Sequence, residues 1–398
     1  MLHVTLLRMI RSLTLFRAMP LAALIHTSPA AESVYQVVSS HRIVNHPGGM
    51  PALCRAKNGD LLLAHSTNWQ PNPPPGGTVK LLRSIDGGKT WSHPKIIVQP
   101  KDPEKWSIHL WSGLHRMPDQ SLILSFGQNR SEEVAEAYVI RSIDHGKTWS
   151  KPVRLGGQLT LWDGKKVVVP FTEGFGRPVT STNGDVLVPI GVRREGAFYG
   201  TKASAFVRTT DSGKTWGPLE FIATGKKKFS ETSMGVAANG NIVAILRCDT
   251  TRRVLWQSVS TDHGRTWSTP VKTKARDEKR GYVHGKMPDV LRLASGRLLL
   301  AVGSIDVGDG SDIWRGKPGA SYSGLYVSDD HGKTWWRDTM FPTSDPNHLI
   351  PYDAPVLLAG DKGRFLALSI QADRRTKSDP RSGWTFGSHY VLHVIREK

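Results

Sequence analysis

Ser84-Ile85-Asp86-Gly87-Gly88-Lys89-Thr90-Trp91 is the first of five copies of the pattern SxDxGxTW, in which Thr is also allowed at the first place. Ser or Thr and Asp can bond the backbone of a tight turn, Gly permits a positive φ, and Thr-Trp can start the next strand with its ring packed inward. The pattern therefore predicts a strand that ends in a turn. Its recurrence predicts one supersecondary unit copied around a closed array. The copies end at Trp91, Trp149, Trp216, Trp267 and Trp335, in steps of 58, 67, 51 and 68 residues.

A second repeat counts the units of the array. Six segments have the form of an apolar strand, a polar turn and a second apolar strand. They are Pro51–His65, Leu110–Phe126, Arg177–Ile190, Ser233–Arg247, Pro288–Val302 and Tyr352–Ile370. In the first five, a further strand leads into an SxDxGxTW copy, which gives the four strands per unit that propellers use.

These repeats predict an all-β fold, a six-bladed β-propeller with four-stranded antiparallel blades. The sixth unit lacks the SxDxGxTW copy. Tyr390–Ile395 can supply its last strand and pair with Val34–Val38 to close the ring. No helix is predicted, because the longest candidate, around Glu132–Tyr138, is only two turns long.

The first thirty residues have the features of a cleaved secretory signal. Arg8, Arg11 and Arg17 precede a short apolar run, Ala18–Ile25, and small residues follow it. The run is too short to span a bilayer. We therefore predict a signal peptide at residues 1–30, a single β-propeller domain at residues 31–398, and a secreted or periplasmic protein without stable membrane insertion.

The composition indicates the class of partner. The formal charge is +19, and it is still +16 without residues 1–30, which hold three arginines and no acidic residue. A basic exported protein meets glycans and acidic polysaccharides. Aromatic residues make up only 8% and no nucleic-acid-binding motif occurs, so no nucleic acid partner is expected. Without a CxxC or HExxH pattern, no metal or other cofactor is expected, and we expect a monomer.

The sharpest candidate pair for chemistry is Glu231 and Arg247. In a propeller, the starts of the innermost strands and the ends of the second strands converge on one end of the central channel. Glu231 and Arg247 bracket one hairpin, so they should meet at this rim. There they can orient a base or clamp an anionic substrate, or they can form a structural ion pair. Lys226–Lys228, just upstream, are interpreted as a solvated basic loop.

Other polar residues fall on the same predicted ring. Tyr352 is a weak nucleophile unless a carboxylate takes its proton, and Glu231 is the candidate for that role. Its structural alternative is an aromatic ring packed inside the strand. Histidines on the ring can act as acid or base near neutral pH, or can be ordinary strand histidines. The candidate substrate contacts besides Arg247 are Arg177, Arg193, His284 and Asp353, and the candidate acid is His65, with His109 and His284 as further possibilities.

The repeated pattern is known as the Asp box, and the chain resembles the sialidase (neuraminidase) superfamily of propellers, in which the boxes lie on the face away from the active site. Sialidases carry a Tyr in the last blade, and a Glu followed by an Arg around the fourth-blade hairpin. Tyr352, Glu231 and Arg247 match these positions. The resemblance implies that Tyr352 attacks the anomeric carbon, that Glu231 is its base and that Arg247 holds an acidic group.

The catalytic pattern of that superfamily is only partly matched. Sialidases have an Arg directly before the first inner strand, where this chain has Gly48-Gly49-Met50, and a further Arg in blade five, which Ala320–Leu325 lacks. The loop Ser66–Val79, which should supply the acid Asp, holds no carboxylate, so His65 is the candidate replacement. The resulting hypothesis is an exo-acting glycoside hydrolase that cleaves a terminal acidic sugar from glycans. The alternatives are a non-catalytic glycan-binding propeller, and a lyase or hydrolase acting on another anionic polysaccharide.

Overall fold

Strand β1 (Tyr35–Asn45) precedes six sheets that follow one another along the chain. The structure is a computed structural model, and it describes residues 33–45, 50–67, 76–130, 134–162, 164–169, 171–174, 176–193, 202–251, 254–278, 281–305, 322–340, 349–351, 356–360, 363–373 and 389–398. The predicted signal peptide therefore lies outside the described residues. Val34–Lys398 forms one compact unit.

The first three sheets contain the first half of the array. Blade 1 consists of β2 (Pro51–Arg55), β3 (Leu61–Ser66), β4 (Val79–Ser84) and β5 (Lys95–Val98). Blade 2 consists of β6 (Ser107–His109), β7 (Leu114–Arg116), β8 (Leu122–Asn129), β9 (Ala135–Ser142) and β10 (Val153–Leu155). A separate hairpin follows, β11 (Leu159–Trp162) with β12 (Lys165–Val168). Blade 3 consists of β13 (Phe171–Gly174), β14 (Val179–Thr180), β15 (Val186–Arg193), β16 (Lys202–Thr209) and β17 (Leu219–Ala223).

The other three sheets form the second half of the array. Blade 4 consists of β18 (Phe229–Val236), β19 (Ile242–Cys248), β20 (Leu255–Ser260) and β21 (Val271–Lys272). Blade 5 consists of β22 (Lys286–Arg292), β23 (Leu298–Ile305), β24 (Tyr322–Ser328) and β25 (Trp336–Met340). Blade 6 consists of β26 (Leu349–Pro351), β27 (Val356–Ala359), β28 (Arg364–Asp373) and β29 (His389–Glu397), with β1 as its outer strand.

The predicted six-bladed, all-β propeller is confirmed. Every blade is antiparallel, and successive strands of a blade are hydrogen-bonded neighbours from the innermost strand outward. In blades 2, 3 and 6 the innermost strand is broken into two pieces that pair with the same second strand. The described residues contain no helix, and hence no helical segment long and apolar enough to cross a membrane.

The ring closes by pairing the two ends of the propeller. Strand β1 is antiparallel to β29, with Tyr35 opposite Glu397 and Val37 opposite Ile395. This is the predicted closure, but the pairing is longer than expected and continues to Asn45 opposite His389. Two register shifts along β1 accommodate its length.

The hydrophobic core lies between the blades. Among the described residues, buried apolar side chains form six clusters; five draw their members from two neighbouring blades, and the sixth joins blade 6 to blade 1 and also includes Trp111 and Met287. Leu62 of blade 1 and Phe126 of blade 2 share one such cluster, and neither is exposed. Burial of apolar area between blades is therefore continuous around the ring.

The SxDxGxTW turns are closed by their own side chains. In blade 4, Asp262 Oδ1 accepts hydrogen bonds from Ser260 Oγ at 2.8 Å and from the Thr266 N–H at 2.8 Å, while Oδ2 accepts from Thr266 Oγ1 at 2.6 Å. Gly264 has φ 84° and donates its N–H to Ser260 Oγ at 2.7 Å. The other four copies make the same set of bonds. These hydrogen bonds, first those from Thr266, hold the pKa of Asp262 below its usual range.

An arginine before the turn connects one blade to the next. Arg208 of blade 3 donates from Nη1 to Asp185 Oδ2 at 2.9 Å in its own blade and to the carbonyl oxygen of His263 at 2.8 Å in the blade 4 turn. Arg83 and Arg141 make the equivalent bonds between blades 1 and 2 and between blades 2 and 3. We call these contacts the interblade staples.

The strand register places these turns opposite the predicted site. In blade 4, Ile242 pairs with Ser260 at the turn, whereas Arg247 pairs with Leu255 at the other end of the same two strands. Five residues of extended strand separate the two ends, a distance of about 17 Å. The candidate site therefore lies at the end of the channel marked by Arg247, the rim named above.

Candidate active site

A β-bulge in β18 directs the Glu231 side chain towards the neighbouring blade 5. Phe229 pairs with Cys248 and Thr232 with Leu246, so β18 has one residue more than β19 over this interval. A bulge of this kind re-aims a side chain and is common next to functional sites. Glu231 lies in the bulge and is only 7% exposed.

Glu231 is bonded to its own blade and to the next one. Oε1 accepts a hydrogen bond from Arg247 Nη1, and Oε2 accepts one from the backbone N–H of Met287 at 2.9 Å. Met287 has φ 54°, a value that non-glycine residues seldom adopt, and β22 has a register shift at the same place. The strained backbone of blade 5 therefore presents an N–H to the carboxylate of blade 4. The sequence expectation that Glu231 and Arg247 meet at one rim agrees with this contact.

Arg247 belongs to a chain of alternating charges. Its Nε lies 3.0 Å from Asp249 Oδ1, and Asp249 Oδ2 lies 2.6 Å from Lys202 Nζ in blade 3. The negative charge of Glu231, followed by that of Asp249, raises the pKa of Arg247, although burial opposes the shift. Burial acts to raise the pKa of Asp249, but the charges of Arg247 and Lys202 hold it below its usual value. Arg247 and Asp249 are therefore both charged at neutral pH.

The guanidinium of Arg247 keeps one terminal nitrogen for a ligand. Nη1 is used by Glu231 and Nε by Asp249, whereas no acceptor among the described residues bonds Nη2. The Arg247 side chain is 36% exposed, while that of Glu231 is 9% exposed. An anionic group reaching the rim would therefore meet Nη2, next to a carboxylate whose oxygens can each still accept a further hydrogen bond.

Arg177 lies deeper than the sequence predicted. The prediction put it at the start of an inner strand, but it falls between β13 and β14, the two pieces of the blade 3 inner strand. Gly176 causes the break: it has φ 87°, and a Cβ there would lie 2.0 Å from the carbonyl oxygen of Thr232 in blade 4. Pro178 restricts the backbone of Arg177 as well.

The partners of Arg177 are structural. Its Nε and Nη2 lie 3.0 and 2.6 Å from the two carboxylate oxygens of Asp289 in blade 5, and Nη2 also donates to the carbonyl oxygen of Leu357 in blade 6. The side chain of Arg177 is 14% exposed and that of Asp289 is 1% exposed. Arg177 thus joins three blades across the channel, and its geometry favours a packing role over the substrate contact that we predicted.

The three predicted histidines are buried, and His109 is 5% exposed. His65 is 1% exposed; its Nδ1 lies 3.2 Å from the carbonyl oxygen of Ser66, and its ring centroid lies 5.8 Å from that of Tyr390. His284 is 6% exposed and forms a β-bridge with Val254, just before the blade 5 inner strand. All three lie at or next to strand ends on the rim side, and their acid–base role stays a prediction.

The remaining predicted residues divide into two groups. Arg193 is buried at the end of β15 and is the register partner of Lys202, so it lies one strand away from the charge chain. Tyr352 and Asp353 lie outside the described residues, as β26 ends at Pro351 and β27 begins at Val356. Their proximity to Glu231 therefore stays a prediction.

Lys202, Asp249 and the Met287 N–H were missed from the sequence. A signal existed for Asp249, which follows Arg247 by two residues and so leaves the strand at the same rim. No comparable signal existed for Met287, because its role depends on a backbone N–H and a positive φ in the neighbouring blade. Among the described residues no group of three or more His, Cys, Asp or Glu could hold a metal ion, and Cys54 and Cys248 are buried free thiols.

The family assignment follows from a comparison with known protein families. The family model of the BNR repeat-like domain matches residues 79–335, which is more than half of the chain. The chain belongs to the BNR repeat-like domain family. The matched range of this BNR repeat propeller begins at strand β4 and ends at Trp335 of the last SxDxGxTW turn.

Similar proteins of known activity are glycosidases. A sialidase from Bacteroides fragilis is 24% identical over 221 residues, a match that covers 48% of this chain and 37% of that protein. The match thus spans little more than a third of the relative. A Hadza microbial sialidase has a similar structure, with a TM-score of 0.63 and 15% identity over 90% of this chain and 68% of that one. An α-L-arabinanase from Penicillium chrysogenum has a TM-score of 0.59 and 15% identity over 91% of this chain and 98% of that one. At these identities the two structures establish a shared fold.

Proposed function

We propose that this protein is an exo-acting glycoside hydrolase that removes a terminal acidic sugar from glycans. The observation that carries the proposal is the contact between Glu231 and Arg247 at the channel rim, in a fold shared with glycosidases. A buried carboxylate beside a partly exposed guanidinium can bind an anionic sugar and handle a proton at one place.

The proposed mechanism uses four side chains. Tyr352 attacks the anomeric carbon while Glu231 takes its phenolic proton, which forms a covalent glycosyl-enzyme intermediate. Arg247 Nη2 holds the acidic group of the sugar. Water then attacks the anomeric carbon and gives one proton to His65, which has lost its own to the leaving group; the sugar is released, and Tyr352 recovers its proton from Glu231. His65 is the proposed acid for the leaving group, and its burial makes it the least favourably placed member of this scheme.

One observation favours a second candidate, a glycan-binding propeller without catalysis. Both oxygens of Glu231 already accept a hydrogen bond, one from Arg247 and one from Met287. These two bonds hold the carboxylate in a fixed position. The same pair would serve as a fixed clamp for an anionic sugar.

A panel of aryl glycosides, including the sialoside, separates the two candidates. Hydrolysis by the full chain, with turnover lost in Tyr352→Phe and lowered by about 10² to 10⁴ in Glu231→Gln, is expected for the glycosidase. Arg247→Lys should raise KM more than it lowers kcat, because it weakens an anion contact made before and during the reaction. Arg154→Lys, an exposed arginine of blade 2, is the matched control and should change neither constant.

Two results would contradict the proposed glycosidase or its mechanism. Saturable glycan binding that is lost in Arg247→Lys, with no turnover on any glycoside of the panel, would establish the binding propeller. Turnover that persists in both Tyr352→Phe and Glu231→Gln would exclude the mechanism.

We also propose that the protein is exported after cleavage near residue 30. The support is the order of Arg8, Arg11, Arg17 and the apolar run in the sequence. N-terminal sequencing of the protein recovered from the periplasm or medium tests this. A full-length protein that stays inside the cell would contradict it.

A further inference from the structure

A basic loop crosses the rim between blades 3 and 4. Residues 224–228 connect β17, the outermost strand of blade 3, to β18, the innermost strand of blade 4. The loop therefore runs from the outer edge of the propeller to the channel, on the face that carries Glu231. Lys226 and Lys227 are exposed and Lys228 is half-buried.

The loop is held against the segment that follows Arg247. The carbonyl oxygen of Lys228 accepts a hydrogen bond from the Asp249 N–H at 2.9 Å. The ammonium of Lys227 lies 4.4 Å from the ring centroid of Trp256, whose Nε1 donates to Thr251 Oγ1 at 2.9 Å. These contacts fix the path of the loop beside the candidate site.

Among the described residues along this path, positive charges outnumber negative charges. Lys202, Lys226, Lys227, Lys228 and Arg247 form what we call the basic track. Its two carboxylates, Glu231 and Asp249, are already bonded to Arg247 or Lys202. No carboxylate among the described residues pairs with Lys226 or Lys227. The track thus offers cations to a long anionic ligand.

We infer that the basic track binds the chain of an acidic polysaccharide, behind the terminal sugar held by Arg247. The inference rests on the proposed function and adds the substrate class, a carboxylated polymer in place of a small glycoside. Lysines are mobile point charges, which suits a flexible chain better than a rigid bidentate group. Single-stranded nucleic acid is disfavoured, because binding it needs exposed aromatic faces, and the aromatic side chain in contact with the loop, Trp256, is 8% exposed and covered by Lys227.

The test measures binding of a fluorescent polygalacturonate oligomer to the full chain. Lys226→Ser/Lys227→Ser should weaken binding about fivefold, because each exposed ion pair contributes a factor of about 1.5 to 5. Lys165→Ser/Lys166→Ser is the matched control, since it also removes two consecutive exposed lysines, and it should change Kd less than about twofold. Raising the salt from about 50 to about 500 mM should weaken wild-type binding, because the contacts are screened.

Three results would overturn the inference: equal losses in the two double variants, equal binding of a neutral dextran, or tighter binding of a single-stranded oligonucleotide of the same charge. Thermal unfolding of both variants shows whether the fold is retained. If Lys226→Ser/Lys227→Ser is unstable, Lys226→Ser alone, compared with Lys165→Ser, gives the same test with a smaller expected factor. Because the readout is binding, it is independent of turnover on aryl glycosides, so failure of this inference is distinguishable from failure of the proposed hydrolase.

Discussion

Replacing Asp289 by Ala should destabilise the propeller more than any loss of a surface ion pair. The Asp289 side chain is 1% exposed and accepts hydrogen bonds from Arg177 Nε, from Arg177 Nη2 and from the Leu357 N–H at 2.6 Å. The substitution leaves a guanidinium in the channel without its counter-charge, and it leaves a buried N–H of blade 6 without its acceptor.

The expected loss of unfolding free energy is about 4 kcal/mol. Removing one partner of a buried ion pair typically costs about 3 to 5 kcal/mol, and an orphaned backbone N–H adds about 1 to 3 kcal/mol. We take the lower part of the combined range, because Arg177 is 14% exposed and keeps its bond to the Leu357 carbonyl. With an unfolding entropy of roughly 2.1 cal/mol/K per residue over Val34–Lys398, this corresponds to a decrease in Tm of about 5 °C.

The assay is differential scanning calorimetry of matched variants. Asp329→Ala is the control, because Asp329 pairs with Arg276 at the surface, where the side chains are 49% and 45% exposed, and it should lower Tm by less than about 1 °C. The double variant Arg177→Met/Asp289→Leu should recover much of the loss, since it removes both charges. Equal shifts for Asp289→Ala and Asp329→Ala would refute the structural role of Arg177. The channel would then have to be hydrated enough to solvate that side chain.

Three further predictions concern the frame around the site. Asp330→Ala should lower the free energy of unfolding by about 1 to 3 kcal/mol, because it removes the hydrogen bonds that close the blade 5 turn. Burial acts to raise the pKa of Asp330, but hydrogen bonds from Thr334 hold it at about 2, so this stabilisation is present above about pH 4 and is lost as the pH falls towards 2. An acid-unfolding curve that is the same for the variant and the wild type would contradict this prediction. Arg208→Met should cost about 1 to 2 kcal/mol in urea unfolding, because it breaks an interblade staple to the His263 carbonyl, and a loss below about 0.3 kcal/mol would show that the staple contributes nothing. Burial lowers the pKa of His393 to about 4, so the neutral histidine contributes stability that is present above its unfolded pKa of about 6.5 and is lost as the pH falls towards 4. His393→Gln should therefore flatten the dependence of Tm on pH in this interval. An unaltered slope would exclude His393 as its source.

The fold was predictable because its signals are local. Each SxDxGxTW turn is closed by bonds within eight residues, and each hairpin has its own turn, so the repeats could be counted without knowledge of distant contacts. The pairing of Glu231 with Arg247 was predictable for the same reason, since both belong to one hairpin.

The rest of the site depends on contacts between blades. Lys202 and Met287 reach the site only when blades 3, 4 and 5 are placed side by side, and no sequence interval relates them to Glu231. Arg177 was misplaced because Gly176 and Pro178 break the inner strand, so that the start of the apolar run is not the start of the strand. The Gly-Arg-Pro sequence was the available signal, and it needed the close approach of Thr232 to be interpreted correctly.

The pairing of β1 with β29 makes the order of synthesis matter. Of the strands of the propeller, β1 is synthesised before the others and its partner β29 after them, so Tyr35 cannot pair with Glu397 until the strands between them have been made. A chain that ends before His389 leaves the edges of β1 and β28 exposed together, and both are templates for association with other chains. Closure also demands the longest search in the molecule, which places it late in folding. A propeller without β29 therefore exposes two unpaired strand edges that the closed ring hides, and such edges make a partly folded chain prone to association.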